Sequence, residues 1–375
     1  MTPQNTPVTF CHIIDASTEN LLLNNSVKYS DRNKFSYSVL TFHAPGKLHE
    51  QMKLLGVRAF SLQHYSKLNL PRTIWRIYRY LRKEKIKIVQ VHGFAASPAG
   101  LIAAKLAGTP VRIFSGHHSH EVPLYKKRAL KFVDCFVARN LATNVVAPSE
   151  DMKRIFADVY KIPEKKLTVI HHGFDLENWR AVAGEKDVRK ELELEGKIVF
   201  GAVGRLFWVK DIDTILRALA EMAKQRADVV LLVVGDGPDR RQLEALAGSL
   251  GISSQVIFTG KRMDIASVIN SFDVFVHSAV AESFGMVFIE AFALGKPVIS
   301  TPVGIATDII RNGENGYLVE TGNIIQMSEA MRQIISIKDK WSTIAQQNMV
   351  TAEKYAVQKT QTLCDAFYIK WLNEK

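Results

Sequence analysis

The stretch VVLLVVGDGPDRRQLEALAGSL, residues 229–250, contains the pattern that decides the fold. Its unbroken apolar run over 229–234 predicts a strand that is buried on both faces of a sheet. A turn rich in glycine follows, and residues 238–250 then show the spacing of an amphipathic helix. A buried strand that leads directly into a helix predicts one repeat of a parallel α/β sheet.

The same alternation of strand and helix patterns extends along the chain. Short apolar runs predict strands at 8–14, 37–42, 86–91, 111–115, 167–170, 198–203, 256–258, 274–277 and 298–300. Helical spacing occurs between them, for example over 72–84, 98–106 and 213–226. The predicted fold class is therefore α/β, built on parallel sheets.

A polar stretch near the middle of the chain predicts the boundary between two domains. Residues 174–195 are rich in charged side chains and lack an apolar strand pattern, and 375 residues exceed the usual size of a single core. We therefore expect Rossmann-like domains at 1–180 and 181–355 that face a central cleft, with a helix at 356–375 packing back on the first. Ligands of such sheets bind at the carboxyl ends of the strands.

Composition narrows the possible functions. Hydrophobic residues make up 47% of the chain and charged residues 23%, which is typical of a folded, water-soluble protein. The three cysteines match neither a disulfide framework nor a zinc motif, and residues 1–7 lack the features of a signal peptide. Every apolar run is too short or too polar to span a bilayer. These patterns predict a cytoplasmic protein.

The positive charge is confined to the first half of the chain. Residues 1–180 contain 27 Lys and Arg against 13 Asp and Glu, whereas residues 181–375 contain 22 against 24. One interpretation is an anionic partner, either a nucleic acid, a membrane surface or an acidic substrate; the other is a solvated basic face. The membrane hypothesis depends on two basic segments with apolar faces, 70–83 and 125–132.

Several familiar sites lack essential residues. The turn at 235–238 has Arg240 where a dinucleotide fingerprint needs a third small residue. Neither a P-loop nor a Gly-x-Ser-x-Gly elbow occurs in the sequence. Nicotinamide, P-loop and α/β-hydrolase chemistry are therefore disfavoured.

The sequence contains two groups of residues that could bind a metal, and neither pattern favours a metal site. Asp211 and Asp213 begin a predicted helix, where capping and the helix dipole account for acidic side chains. The second group follows the strand at 111–115 and consists of His117, His118, His120 and Glu121. His92, at the end of the neighbouring predicted strand, could join it. Their spacing matches no standard zinc signature.

The second half contains charged residues at predicted strand ends. Arg205 follows a glycine turn and Lys210 comes five residues later, so two cations could hold a diphosphate. Glu282 precedes the next predicted helix and Glu290 lies within it, about 12 Å away along a helical path. Free amides at the start of this helix, after Gly285, suit a phosphate group. Together these groups could reach both ends of a nucleotide sugar.

Four motifs taken together resemble glycosyltransferase family 4, the retaining enzymes with the GT-B fold. They are Gly204-Arg205 with Lys210, residues 234–238 (VGDGP), residues 282–291 (ESFGMVFIEA) and residues 295–299 (GKPVI). Weaker matches in the first half are residues 147–149 (APS), residues 169–175 and His117. The order of predicted elements follows the family along nearly the whole chain.

The resemblance implies a role for each matching residue. Arg205 and Lys210 would contact the donor diphosphate, Glu290 the ribose hydroxyls and Glu282 the transferred sugar. His117, or His118 if the register shifts by one, would lie beside the reacting carbon. The implied catalytic residues are thus His117, Glu282, Arg205 and Lys210. Further donor contacts are expected from Gly204, Gly235, Lys261, Phe284, Gly285 and Met286.

The implied reaction moves a hexosyl unit, with retention, from a nucleoside diphosphate sugar to a hydroxyl of a glycan or lipid-linked acceptor, in cell-surface polysaccharide or glycolipid synthesis. No metal or other cofactor is expected, because two cations would neutralise the leaving group. The acceptor half departs further from the family, since the loop at 15–20 lacks paired glycines. The alternatives are a sugar-nucleotide 2-epimerase and a basic nucleic-acid-binding protein.

Overall fold

The computed structural model describes residues 6–15, 21–63, 69–93, 96–116, 128–224 and 226–374. The chain forms two compact units. Unit 1 comprises Met1–Gly173 and Val357–Lys375, and unit 2 comprises Phe174–Ala356. Unit 1 is therefore assembled from two separate parts of the sequence.

Unit 1 is built on a parallel sheet. Its described strands are β1 Val8–Ile14, β2 Phe35–Thr41, β3 Arg58–Ser61, β4 Ile88–His92, β5 Val111–Ser115, β6 Asn144–Ala147 and β7 Leu167–Val169. They lie in the order β3-β2-β1-β4-β5-β6-β7, and each pairs in parallel with its neighbours. The strand order reverses between β1 and β4, which is the point where ligands of open α/β sheets bind.

Unit 2 repeats this topology. Its described strands are β8 Ile198–Val203, β9 Val229–Val234, β10 Val256–Gly260, β11 Val274–His277, β12 Val298–Ser300 and β13 Gly316–Leu318. They lie in the order β10-β9-β8-β11-β12-β13, so the reversal falls between β8 and β11. Every residue of β9 is buried, as expected for an apolar strand covered by helices on both faces.

Helices connect the strands and cover both faces of each sheet. In chain order the described helices are α1 Leu21–Tyr29, α2 Lys47–Leu54, α3 Leu70–Lys83, α4 Ala96–Leu106, α5 Arg128–Asn140, α6 Glu150–Asp158, α7 Leu176–Val182, α8 Val188–Glu191, α9 Ile212–Ala223, α10 Arg240–Ser249, α11 Ile265–Asn270, α12 Met286–Ala293, α13 Ala306–Ile309, α14 Ile324–Ser336, α15 Trp341–Ala352 and α16 Val357–Asn373. The observed fold confirms the predicted α/β class with parallel sheets.

The last helix, α16, belongs to the core of unit 1. Tyr368 and Trp371 are buried in the apolar layer on one face of the sheet. The Tyr368 hydroxyl donates a hydrogen bond to Gln90 Oε1 on β4 at 3.1 Å. The buried Asp365 carboxylate accepts hydrogen bonds from the Ser30 hydroxyl at 3.0 Å and the Asp31 amide at 2.9 Å. Polar and apolar contacts together fix α16 to the first part of the chain.

The boundary between the units lies earlier than the predicted one at 180. Unit 1 ends at Gly173, and the polar stretch that was expected to separate the domains forms α7 and α8 of unit 2. Phe174 and Leu176 explain the shift, because both side chains are buried in the core of unit 2. Phe174 also bridges Ala356, so unit 2 begins and ends at neighbouring residues.

Three observed strands were not predicted from the sequence. At the edge of the unit 1 sheet, β3 alternates exposed and partly buried residues, and it lacks an apolar run. The other two, β6 and β13, span four and three residues. Asn144 begins β6 and Gly316 begins β13, and both residue types are depleted in strands.

Candidate functional site

The candidate site in unit 2 lies where the strand order reverses. The turn after β8 contains Gly204, and the turn after β9 contains Gly235. Gly235 has a φ of +129°, and a Cβ built there would lie 1.9 Å from the Gly204 carbonyl oxygen. Only glycine allows these two turns to pack so closely. The close packing fixes the start of the segment that leads to Lys210.

Lys210 is held in place by an unusual turn. Residues Trp208–Lys210 form a short 3-10 turn, followed by Asp211 in the left-handed region with a φ of 47°. From the end of β11, the Ser278 hydroxyl reaches the carbonyl oxygens of Lys210 at 2.9 Å and Asp211 at 2.7 Å. Residues from the two strands that flank the reversal are thereby joined at one point.

An ion pair forms between two of the predicted site residues. Lys210 Nζ lies 2.5 Å from Glu282 Oε2, and both side chains are only 20% exposed. These residues are 72 positions apart in the chain, and the fold brings them together from the ends of β8 and β11. A cation and a carboxylate at the carboxyl ends of these strands are placed to contact a charged ligand.

The helix α12 offers a phosphate-binding end beside this pair. Gly285 precedes the helix in the left-handed region, with a φ of +84°, and a Cβ there would lie 2.6 Å from the Phe288 ring. Its N-cap residue, Gly285, has no side chain that could bind the first amides of the helix. Its first amides can therefore bind an anion, assisted by the helix dipole. Phe284 is buried just before the helix and anchors the turn.

Glu290 lies one turn inside α12 and is partly buried. Burial raises the pKa of its carboxyl from 4.5 to about 7. No hydrogen bond or ion pair to its side chain occurs within the part of the chain that the structure describes, whereas its backbone carbonyl accepts a hydrogen bond from Trp179 Nε1 at 3.2 Å. A buried acceptor of this kind is suited to ligand hydroxyl groups.

The remaining predicted donor residues are less enclosed. Arg205 is exposed, and its guanidinium lies 5.8 Å from the centre of the Phe207 ring. Lys261 is exposed directly after β10, and Met286 packs partly buried at the start of α12. Arg205 forms no ion pair with any described residue, so its guanidinium is accessible to a ligand.

The structure describes the first of the two groups that could bind a metal, whereas most of the second group lies outside the described residues. Asp211 accepts a hydrogen bond from the Thr214 hydroxyl at 2.6 Å, and Asp213 pairs with Arg217 at 2.5 Å. Asp211 is the N-cap residue of α9 and Asp213 lies in its first turn, where the sequence placed them, and the Asp211 carboxylate binds Thr214 of the same turn through its hydroxyl. The predicted catalytic His117, its alternative His118, and their neighbours His120 and Glu121 lie outside the described residues.

Unit 1 contains a cavity at the carboxyl ends of its strands, lined by both apolar and polar residues. The cavity has a volume of about 80 Å³, and its polar lining includes Asn25, Gln90, His92, Ser115 and His171. His92 Nε2 lies 3.0 Å from His12 Nδ1, and burial lowers the pKa of His12 to about 3. The His12 imidazole is therefore neutral. Among these residues, the sequence had singled out only His92 and residues 169–175, since the others become adjacent only when β4, β5 and α1 assemble.

His277 is the residue of unit 2 that sequence reasoning missed. It is the last residue of β11, is 4% exposed, and its Nε2 lies 3.9 Å from Glu282 Oε2. In the sequence it reads as part of an apolar strand, so its only signal is a polar side chain at a strand end five residues before Glu282.

Two family models and several known proteins match the chain. The model described as Glycosyltransferase Family 4 matches residues 24–178, and the model described as Glycosyl transferases group 1 matches residues 184–351. The UDP-Gal:alpha-D-GlcNAc-diphosphoundecaprenol alpha-1,3-galactosyltransferase of Escherichia coli is 26% identical over 75% of this chain and 76% of its own length. The capsular polysaccharide biosynthesis glycosyltransferase CapM of Staphylococcus aureus is 27% identical over 81% of this chain and 82% of its own length.

Solved structures share the fold at lower identity. The crystal structure of Anabaena HepE in complex with UDP superposes with a TM-score of 0.83 at 21% sequence identity, over 97% of this chain and 100% of that one. This likeness supports the two-sheet architecture described above.

Proposed function

The chain belongs to glycosyltransferase family 4 and has the GT-B fold, and from this premise we propose that it transfers a hexosyl unit, with retention, from a nucleoside diphosphate sugar to a hydroxyl of a glycan or lipid-linked acceptor. Its relatives act in capsule and lipid-linked glycan synthesis, so we place it in cell-surface polysaccharide or glycolipid synthesis. The family supports this reaction over the 2-epimerase and the nucleic-acid-binding alternatives. The names of the relatives point to a uridine nucleotide as the first donor to test.

The observation that carries the donor site is the convergence of Lys210, Glu282 and the start of α12 at one end of the unit 2 sheet. In our proposal Lys210 and Arg205 bind the diphosphate, and the first amides of α12 share its charge. Glu290 accepts hydrogen bonds from the ribose hydroxyls, and Glu282 lies beside the transferred sugar. This arrangement orients a nucleotide sugar along the carboxyl ends of β8 and β11.

The same residues account for the chemical step that we propose. Breaking the bond between sugar and phosphate leaves an additional negative charge on the diphosphate, and fixed cations in a partly buried site stabilise it. Lys210 and Arg205 supply that charge, so the reaction proceeds without a metal. The acceptor hydroxyl oxygen bonds to the anomeric carbon on the face that the phosphate leaves, and the departing phosphate oxygen takes the proton of that hydroxyl. His117 is assigned to the sugar face.

Donor binding tests this assignment. We would measure the thermal shift of the protein with a panel of UDP- and GDP-sugars, because a ligand that binds only the folded state raises its stability. The nucleotide so identified, UDP or GDP, is then titrated by calorimetry into Lys210→Ala and Glu290→Ala. Each variant should lose about tenfold or more in affinity, since each removes a hydrogen bond with a charged partner.

An exposed lysine provides the matched control. Lys224 also lies in unit 2 and pairs with Glu221 on the surface, so Lys224→Ala should bind the nucleotide as the parent does. Parental affinity in both Lys210→Ala and Glu290→Ala would contradict the proposed donor site.

We also propose that unit 1 associates peripherally with anionic membranes on the cytoplasmic side. No helix in the described ranges is long and apolar enough to cross a bilayer. On α3, Ile77 and Leu81 pack inward while the arginines are exposed, and Arg79 lies 4.7 Å from the ring of the half-exposed Trp75. Basic side chains next to an exposed aromatic ring suit a layer of anionic headgroups.

The helix α5 adds apolar groups on the same side of the unit 1 sheet. Phe132 is 71% exposed and Phe136 is 52% exposed, and their rings stack at 6.4 Å. Like α3, this helix packs on the core through its opposite face, with Val137 buried. Co-sedimentation with vesicles containing phosphatidylglycerol, at low and high salt, tests the proposal. Phe132→Ser with Phe136→Ser should reduce binding, whereas Leu363→Ser, which changes an exposed residue of α16, should not.

A further inference from the structure

His277 is a buried polar side chain without a hydrogen-bond partner. It is 4% exposed at the end of β11, and neither ring nitrogen finds a partner among the residues that the structure describes. Leaving such groups unpaired in a protein interior is costly, and buried exceptions commonly have a functional reason. A leucine or phenylalanine would fill the same place in the core without this cost.

Two aromatic rings and one carboxylate lie near the His277 ring. The rings of Phe275 and Phe288 have centre distances of 6.2 and 4.8 Å from it. Glu282 Oε2 lies 3.9 Å from Nε2, about 1 Å beyond hydrogen-bond distance. The same oxygen is held by Lys210 Nζ at 2.5 Å. Glu282 therefore lies between a partner that it contacts and a second partner that it nearly contacts.

We infer that His277 is a positioning residue. When the donor diphosphate binds Lys210, His277 donates a hydrogen bond to Glu282 in place of Lys210. In the ligand-free protein Lys210 and Glu282 neutralise each other. A diphosphate carries more negative charge than one carboxylate and draws the ammonium group away, and a small rotation of Glu282 then brings its oxygen to Nε2–H. The carboxylate stays fixed beside the transferred sugar instead of becoming an unpaired buried charge. This inference rests on the proposed role of Lys210.

The charge state of the ring fits this role. Burial, together with the positive charge of Lys210, lowers the pKa of His277 well below 6.5, so the imidazole is neutral and can donate one N–H. A neutral donor does not compete with the diphosphate for Lys210, and it does not attract the diphosphate itself. His277 therefore affects the nucleotide only through Glu282.

Two apolar replacements test the inference. Leucine is branched and close to histidine in volume, whereas phenylalanine is planar and larger, so a packing defect would affect the two variants differently. Both should weaken binding of the nucleotide, UDP or GDP as selected above, by about tenfold in calorimetry, because the released carboxylate has lost its donor. At least one should melt no lower than the parent without ligand, since the unpaired ring nitrogens are gone. A purely structural histidine would lower the melting temperature in both.

The Glu282→Ala background isolates the contact. With no carboxylate to reposition, His277→Leu should change nucleotide affinity by less than twofold there. Parental affinity in both single variants, or an undiminished loss in the Glu282→Ala background, would overturn the inference while leaving the donor site intact. Parental affinity in Lys210→Ala would instead refute the role of Lys210, and the inference would fall with it.

Discussion

Replacing Glu290 with glutamine should strengthen the fold and weaken the function. Glu290 is partly buried in α12, and its side chain lacks a protein partner within the described part of the chain. Burial raises the pKa of this carboxyl from 4.5 to about 7. The ionised form that a ribose would need is thus unfavourable before the ligand arrives. Glutamine has nearly the same shape and carries no charge.

The magnitude follows from the pKa of Glu290. A rise from 4.5 to about 7 corresponds to about 3 kcal/mol, and partial exposure reduces the expected effect to about 2 kcal/mol. The folded state binds this proton more tightly than the unfolded state. The contribution of Glu290 to stability is therefore fully present below pH 4.5 and is lost as the pH rises through about 7. Glu290→Gln does not undergo this loss.

Thermal unfolding at two pH values provides the assay. At pH 8 Glu290→Gln should be more stable than the parent by about 2 kcal/mol, which raises the melting temperature by about 4–8 °C for a unit of this size. At pH 4.5 the two proteins should melt at nearly the same temperature. The control Glu329→Gln changes an exposed glutamate of α14 and should have no such pH-dependent effect. Nucleotide affinity should fall about tenfold in Glu290→Gln, opposite in sign to the gain in stability. Equal melting temperatures at pH 8 would refute the argument from burial.

Three further predictions concern metal independence, His117 of unit 1 and the helix α16. Turnover should survive EDTA, because Lys210 and Arg205 supply the positive charge at the diphosphate; loss of activity that Mg²⁺ or Mn²⁺ restores would contradict this. His117→Ala should lower turnover far more than the melting temperature, and equal damage to both would indicate a structural histidine instead. Asp365→Ala should destabilise unit 1 by about 2 kcal/mol in denaturant titrations, since the Ser30 hydroxyl, the Asp31 amide and the Gln361 side chain lose a charged acceptor. An unchanged unfolding midpoint would mean that α16 depends on apolar packing alone.

Much of the fold follows from local patterns in the sequence. The strands at 8–14, 111–115, 198–203, 229–234, 274–277 and 298–300 were predicted with the bounds that the structure has. All are apolar runs buried in the middle of a sheet, where side-chain chemistry alone identifies the element. Prediction failed for β3, β6 and β13, which are short or lie at an edge and depend on their neighbours in the sheet for stability.

The sequence identified most residues of the unit 2 site, but it did not predict the contacts between them. Motif spacing identified Lys210 and Glu282 separately, but their ion pair joins residues from two strand ends and exists only in the folded sheet. His277 was missed because histidine within an apolar run looks like core. The sequence also did not predict the boundary at Gly173, because only the packing of Phe174 in the core of unit 2 assigns that residue to unit 2.

The helix α16 has a consequence for how the protein is made. Unit 1 takes its first part from Met1–Gly173 and its last part from Val357–Lys375, and the whole of unit 2 is synthesised between them. On the ribosome, the sheet of unit 1 emerges first but lacks the residues that bury Phe10 and satisfy Ser30 and Gln90.

Unit 2 is continuous in sequence, so it can finish folding while unit 1 is still waiting for its final helix. During that interval α1 and α2 can already pack on one apolar face of the first sheet, but the part that α16 covers remains exposed. Exposed apolar surface is the condition under which nascent chains aggregate or recruit chaperones. The order of completion is thus the reverse of the order of synthesis: the part of the protein that is made first becomes stable last.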